Sequence, residues 1–383
     1  MDRDILGVGL TGKSLTDLER RIIHETSPYA VVLFGRNIDT PDQLRELVRE
    51  VKALARRPPI FMIDEEGGRV DRLRNIVPGL PSAEAFGEGE QPVEMSEWFG
   101  RIIGMALRWF DIECDLAPVV DIRSVVRPKG LERRTFGGTA DDVVELAGAF
   151  MKGMHSAGVA SCLKHFPGIG MGSADPHYGA TVIDIPLEKL VEEDLAPFQR
   201  LGNAAGAVMI GHGTYPQVDD PDLPATLSQR ITTDLLRTSC GFDGVAITDD
   251  MEMHAVSDLG SYEEISERAV MAGNDVILYC SHIERVPDLQ RFFHYKQQTD
   301  QVFRRRFDDA YERAERYRRH CAQLRENQTA SVETFEQLLE LHVKFLEAFQ
   351  NTRPSREIII PDIERRKTSR TPGTGRTGRE EWT

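Results

Sequence analysis

Short apolar runs rich in β-branched side chains alternate with longer amphipathic stretches over the first 280 residues of the chain. The runs are ILGVGL (5–10), AVVLFG (30–35), PIFMID (59–64), IECDLAP (112–118), VASCLKHF (159–166), AGAVMIGH (205–212), GVAITDD (244–250) and NDVILYC (274–280). Leu15, Leu18, Ile22 and Ile23 recur at helical spacing in the first gap, and Leu44, Leu47, Val48, Val51 and Leu54 do so in the second. Strands that are apolar throughout, separated by helices with one apolar face, predict a parallel sheet covered on its outer side. Eight such units predict an α/β fold, a (β/α)8 TIM-type barrel.

The pattern changes after residue 281. Phe303, Phe307, Tyr311, Ala314, Tyr317, Cys321 and Leu324 recur every three or four residues in a strongly charged stretch, and Phe335, Leu338, Leu339, His342, Leu346 and Phe349 repeat the pattern. Both read as amphipathic helices whose aromatic stripes are packing faces, on the barrel or on a partner subunit. The expected organisation is a catalytic barrel over 1–290, a C-terminal helical extension over 291–350 and a disordered tail over 351–383, rich in Gly, Pro, Thr and Arg.

Composition narrows the function classes. A net charge of −15 argues against nucleic acid or an anionic membrane as partner and suits a neutral or cationic small substrate. Neither a signal peptide nor a run of about 18 apolar residues is visible, so a membrane is not expected as partner. The five cysteines are scattered and form no CxxC or Cys/His cluster, which predicts a reducing cytoplasm and no structural zinc.

Barrel enzymes place their reactive groups at the carboxyl ends of the strands. Asp64, Asp115, Lys164 with His165, His212, and Asp249 with Asp250 fall there. One such residue alone more often caps the next helix than reacts; several together point to a site. In FMIDEEGGRVDRLR, Asp64 precedes a Gly67-Gly68 turn and then Arg69, Arg72 and Arg74; an acid and an arginine presented together can hold vicinal hydroxyls. Asp249 could attack an anomeric carbon, cap a helix, or join Asp64 and His212 on a metal. In KHFPGIGMGSADPHYG, Pro176 keeps Asp175 extended, so that Asp175 and His177 project to the same side of a glycine-hinged loop.

IDEEGGRVDRLR, DLAPVVDI, ERRTFGG, KHFPGIG followed by ADPH, VMIGHGTYP and ITDDMEM stand in the order and approximate spacing of the catalytic barrel of glycoside hydrolase family 3. From about residue 5 to about residue 282 the chain most resembles that family's single-barrel β-N-acetylhexosaminidases. The resemblance implies a retaining exo-β-N-acetylglucosaminidase that works through a covalent glycosyl-enzyme, needs no cofactor or metal, and acts on a GlcNAc-terminated glycan or muropeptide. It implies Asp249 as nucleophile, His177 with Asp175 as the acid/base dyad, and Asp64, Arg72, Arg134, Lys164 and His165 as the grip on the terminal sugar. Asp250, Glu66 and His212 lie inside the motifs without an assigned chemical role.

The chemistry of these residues is consistent with that assignment. A retaining glycosidase needs one ionised carboxylate and one group that gives and recovers a proton. Lys164 and Arg134, if they approach Asp249, keep it ionised; an imidazole oriented by an acid can serve as the second group. Two positions depart from the family pattern. Ile169 stands where His is common, and Pro176 where a small hydroxyl residue is common, which bears on leaving-group preference and turnover. The alternatives are a family 3 β-glucosidase or β-xylosidase, which usually carries a second α/β domain after the barrel, and a sugar-binding barrel that has lost catalysis. The oligomeric state is not encoded in any of these features.

Overall fold

All eight apolar runs form strands, and the strands close on themselves. The structure, a computed structural model, describes residues 3–125, 128, 130–174 and 181–352. The barrel strands are β1 (Leu6–Gly9), β2 (Ala30–Leu33), β3 (Ile60–Ile63), β4 (Cys114–Asp115), β5 (Ala160–Phe166), β6 (Gly206–Ile210), β7 (Val245–Asp250) and β8 (Val276–Tyr279). Each pairs in parallel with its sequence neighbours, and β8 returns to β1 with Leu6 opposite Ile277. A helix follows every strand: α1 (Asp17–Thr26), α2 (Pro41–Leu54), α3 (Pro92–Trp109), α4 (Ala140–Ser156), α5 (Ala196–Ala205), the wide π-type α6 (Arg230–Ser239), α7 (Tyr262–Ala272) and α8 (Val286–Thr299). Two further helices, α9 (Gln301–Glu326) and α10 (Phe335–Asn351), complete the described chain. The fold is the expected (β/α)8 barrel with a helical extension. The boundary expected at residue 290 falls inside α8, and residues 353–383 of the expected tail lie outside the described residues.

Local sequence explains several boundaries. Thr16 with Glu19 and Ser261 with Glu264 form capping boxes that start α1 and α7. The fourth run yields a regular strand of only Cys114–Asp115, because Pro118 has no N–H to continue the ladder. The chain nevertheless stays beside β5 through the Val120 N–H, which donates to Lys164 O at 2.8 Å.

The strands are largely apolar up to their carboxyl ends because they face two cores. Val32, Met62, Leu116, Cys162, Met209, Ile247 and Leu278 fill the barrel, while Val31, Phe61, Leu163, Val208, Ala246 and Ile277 pack outward under the helices. The barrel interior also contains Ala314, Tyr317 and Cys321 of α9. That helix crosses the amino end of the barrel: Tyr29 Oη donates to Ala314 O at 2.7 Å, and the Tyr317 hydroxyl lies 3.0 Å from Cys114 Sγ. Arg306 donates to the buried Asp275 carboxylate at 2.8 Å. The second half of the α9 stripe therefore plugs the barrel floor, while Phe303 and Phe307 pack on Phe293 of α8. In α10, Phe345 stacks on Phe99 of α3 with centroids 5.9 Å apart, and Phe349 meets Phe86 at 4.8 Å. Among the described residues no helix is long and apolar enough to cross a membrane.

Candidate active site

Lys164, near the end of β5, is the hub of a charged cradle at the carboxyl rim. Its Nζ lies 2.5 Å from Asp64 Oδ1, just past β3, and 2.5 Å from Glu66 Oε1. Glu66 in turn receives a two-pronged contact from Arg134, with Nε at 2.7 Å and Nη2 at 2.8 Å. The Lys164 side chain is only 2% exposed, and an unpaired ammonium there would carry a desolvation penalty of several kcal/mol. Burial pushes its pKa down, but Asp64 and Glu66 more than reverse this and hold it above the ordinary lysine value. Burial likewise opposes the charge on Glu66, which Lys164 and Arg134 hold well below the ordinary carboxylate range. The cradle is therefore ionic throughout.

Arg72 enters the cradle from a small hairpin, Glu65–Gly67 paired with Val70–Asp71, and its Nη2 stands 3.9 Å from Asp64 Oδ2. The other two arginines of this motif turn elsewhere. Arg69 pairs with Glu132 at 3.0 Å, and Arg74 closes the loop by donating to the carbonyls of Asp71, Gly68 and Arg69. Asp115 points beneath the hairpin, fully buried, where its Oδ1 accepts the Glu65 N–H at 2.9 Å.

His165 follows Lys164 through a cis peptide bond. Its Nδ1 is 2.8 Å from Asp121 Oδ2, while Asp121 Oδ1 accepts the Ile169 N–H at 2.8 Å. One buried carboxylate thus fixes both the ring and the glycine loop that follows. That loop is pinned further by Tyr215 Oη, which donates to Gly168 O at 2.8 Å, and by Ser124 Oγ, which donates to Gly170 O at 2.5 Å. A Cβ on Gly170 would meet Ile122 O at 2.0 Å. Gly168 and Gly170 are thus closely packed, with Asp194 and Ile122 where a Cβ would stand. Ile169 contributes its backbone N–H, and its half-buried side chain packs on the core.

Asp249 and Asp250, at the end of β7, are separated by their surroundings. Burial raises the pKa of Asp249, but the His212 and His165 rings, the Asp250 N–H at 2.8 Å and the Lys164 charge outweigh it and hold Asp249 below the ordinary carboxylate value. Asp250 is pushed up to about 6, chiefly by burial, and its Oδ1 accepts the N–H groups of Glu252 and Cys280. One acid is ionised and faces the site; the other ties the end of β7 to β8. His212 is spent on structure. Its Nε2 is 2.9 Å from Asp250 O, which can only accept, so that nitrogen carries the proton. Burial lowers the pKa of the ring, and Nδ1 stands 2.6 Å from the Thr226 hydroxyl, which donates to Gly211 O at 2.8 Å. With Asp64 committed to Lys164 as well, Asp64, His212 and Asp249 do not converge on a metal.

The structure brings Asp64, Arg72, Arg134, Lys164, His165 and Asp249 to one end of the barrel. It differs from expectation over Arg134, whose guanidinium is engaged by Glu66 rather than placed beside Asp249. Asp175 and His177 lie outside the described residues. The chain on either side of them is described: Ser173–Ala174 pairs antiparallel with Thr181–Val182, and Ile183 N–H donates to Thr214 O at 2.9 Å, just past His212. Sequence reasoning gave Glu66 no role and passed over Asp121. The only signal for Asp121 was its place in DLAPVVDI.

An eight-stranded parallel barrel with an ionised carboxylate and a carboxylate–cation cradle at the carboxyl end of its strands has the layout of a barrel glycoside hydrolase. The family profile described as "Glycosyl hydrolase family 3 N terminal domain" matches residues 8–316. The chain is 36% identical over 280 residues to a Beta-hexosaminidase of Pseudomonas aeruginosa, covering 72% of this chain and 82% of that one. It is 34% identical over 284 residues to a Beta-hexosaminidase of Haemophilus influenzae, covering 73% and 80%. Among solved structures, a glycoside hydrolase family 3 beta-N-acetylglucosaminidase from Paenibacillus sp. superposes with a TM-score of 0.79 at 30% identity, over 90% of this chain and 67% of that one. NagZ from Neisseria gonorrhoeae, solved in complex with N-trifluoroacetyl-D-glucosamine, superposes with a TM-score of 0.74 at 26% identity, over 91% and 98%. The chain belongs to glycoside hydrolase family 3.

Proposed function

We propose that this enzyme removes terminal β-linked N-acetylglucosamine with retention of configuration. The observation that carries the reading is Asp249, a carboxylate kept ionised at the end of β7, on the same rim as the Asp64–Lys164–Glu66–Arg134 cradle. In this reading Asp64, Arg72, Lys164, Arg134 and His165 hold the hydroxyl and N-acetyl groups of the sugar. An Asp249 oxygen attacks the anomeric carbon while the bond to the glycosidic oxygen breaks, and the His177 imidazolium, oriented by Asp175, protonates that oxygen as it leaves. His177, now neutral, takes a proton from water, the hydroxide oxygen bonds to the anomeric carbon, and Asp249 departs as carboxylate. The naming of the relatives after hexosamine substrates and the N-acylglucosamine bound to the Neisseria protein support the choice of sugar. Five buried free thiols fit a reducing cytoplasm, where muropeptides from peptidoglycan are the natural substrate in this reading.

Hydrolysis of an aryl β-N-acetylglucosaminide and of the matching aryl β-glucoside by the wild type, Asp249→Ala and His177→Ala tests it. The N-acetyl sugar is expected to be strongly preferred, and Asp249→Ala to lose on the order of ten-thousandfold in rate. His177→Ala is expected to lose about a hundredfold or more on poor leaving groups and far less on activated aryl ones, since only the former need a proton. Equal rates on the two sugars would overturn the specificity, and an unimpaired Asp249→Ala would overturn the mechanism.

A further inference from the structure

The hairpin that carries Arg72 contains two acids that the catalytic reading does not use. Glu65 and Asp71 are register partners across it, 1% and 4% exposed. One oxygen of each is satisfied by backbone. Glu65 Oε2 accepts the N–H groups of Arg72 at 2.8 Å and Leu73 at 3.0 Å, and Asp71 Oδ2 accepts the Leu80 N–H at 3.0 Å. The other two oxygens, Glu65 Oε1 and Asp71 Oδ1, are buried and have no donor from any other group. Two buried carboxylates in this arrangement would repel and would each lack a hydrogen-bond partner; one proton between them removes both costs.

We propose that Glu65 is a neutral carboxylic acid that donates from Oε1 to Asp71 Oδ1, and that this acid pair is a positioning device for Arg72. The link is short. The same Glu65 carboxyl that donates to Asp71 accepts the backbone N–H of Arg72, so the pair closes the hairpin at the residue whose guanidinium faces Asp64. The charged groups around the pair favour one retained proton. Burial first, then the negative charges of Asp71 on the opposite hairpin strand and Asp115 at the end of β4, push Glu65 well above the ordinary carboxylate range. Asp71 is raised too, by burial, but the Leu80 N–H, its bond with Glu65 and Arg74 limit the rise, which makes it the acceptor. Since the folded-state value of Glu65 is the raised one, the stabilisation is fully present below the ordinary carboxylate range and is lost progressively as pH rises from that range through the raised value. The consequence for turnover rests on the reading of Arg72 as a sugar contact.

Glu65→Gln supplies an Nε2 donor in place of the shared proton, whereas Glu65→Ala supplies nothing. Glu65→Gln is expected to keep the wild-type KM for an aryl β-N-acetylglucosaminide near neutral pH and to abolish the rise in KM expected of the wild type once the shared proton is lost at higher pH. Glu65→Ala is expected to raise KM about tenfold at every pH. Infrared difference spectra of the unliganded protein, wild type minus Glu65→Gln at neutral pH, are expected to show the carbonyl band of a protonated carboxylic acid. A carboxylate band in its place, or a Glu65→Gln variant as impaired as Glu65→Ala, would overturn the acid pair. Inactivity of every form on the N-acetyl substrate, with the protonated band present, would instead overturn the functional reading and leave the pair standing.

Discussion

Lys164 illustrates how far a single position can be read before its neighbours are known. Its place at the end of an apolar run marked it as a site residue, and its burial between Asp64 and Glu66 explains why it remains charged there. Removing the cation leaves two buried carboxylates short of a partner, so Lys164→Met is expected to lower unfolding stability by about 3–5 kcal/mol, measured by denaturant titration. A loss below about 1 kcal/mol would contradict the paired cradle. Asp121 was not legible, because its partner His165 lies 44 residues further on and the contact exists only once β5 stands beside the segment after β4. Glu66 was legible as part of a motif but not as the partner of Lys164 and Arg134. Ile169 stands where the family pattern has a polar side chain, and its contribution here is a backbone N–H to Asp121.

At the scale of elements, the strands were the most readable feature because facing two apolar cores makes most of their positions apolar up to the carboxyl ends. The shortness of β4 was less so, since Pro118 interrupts a run whose hydrophobicity continues. The extension was readable as helix but not as architecture: only the fold shows α9 plugging the barrel floor and α10 backing α3. Phe99 on α3, which stacks with Phe345 of α10, also lies where a Cβ on Gly67 would come within 2.8 Å of it. The extension therefore reaches the Arg72 hairpin through one aromatic ring. Helices α3 and α4 pack closely: a Cβ on Gly153 would meet Glu97 O at 1.9 Å. Gly153→Ala must push the two helices apart, and thermal unfolding is expected to register a loss of about 1–3 kcal/mol. Wild-type stability in that variant would contradict the packing.

For the whole molecule, the barrel supplies a rigid rim and the charge pattern assigns the tasks. The net charge of −15 sits around a site whose own cations are locked in ion pairs, a setting for an uncharged sugar ring rather than a polyanion. The two acids that close β7 are divided by environment into an ionised Asp249 and a raised, structurally engaged Asp250. The central claim is that Asp249 forms a covalent bond to the sugar. It is tested most directly by incubating the enzyme with an activated, fluorinated N-acetylglucosaminyl compound that forms the glycosyl-enzyme faster than water clears it, followed by intact-mass and peptide mass spectrometry. The account predicts a mass gain of one sugar residue on Asp249, within the peptide carrying ITDDMEM, and none in Asp249→Ala. Attachment at Asp250, or no adduct together with a product of inverted configuration, would contradict it.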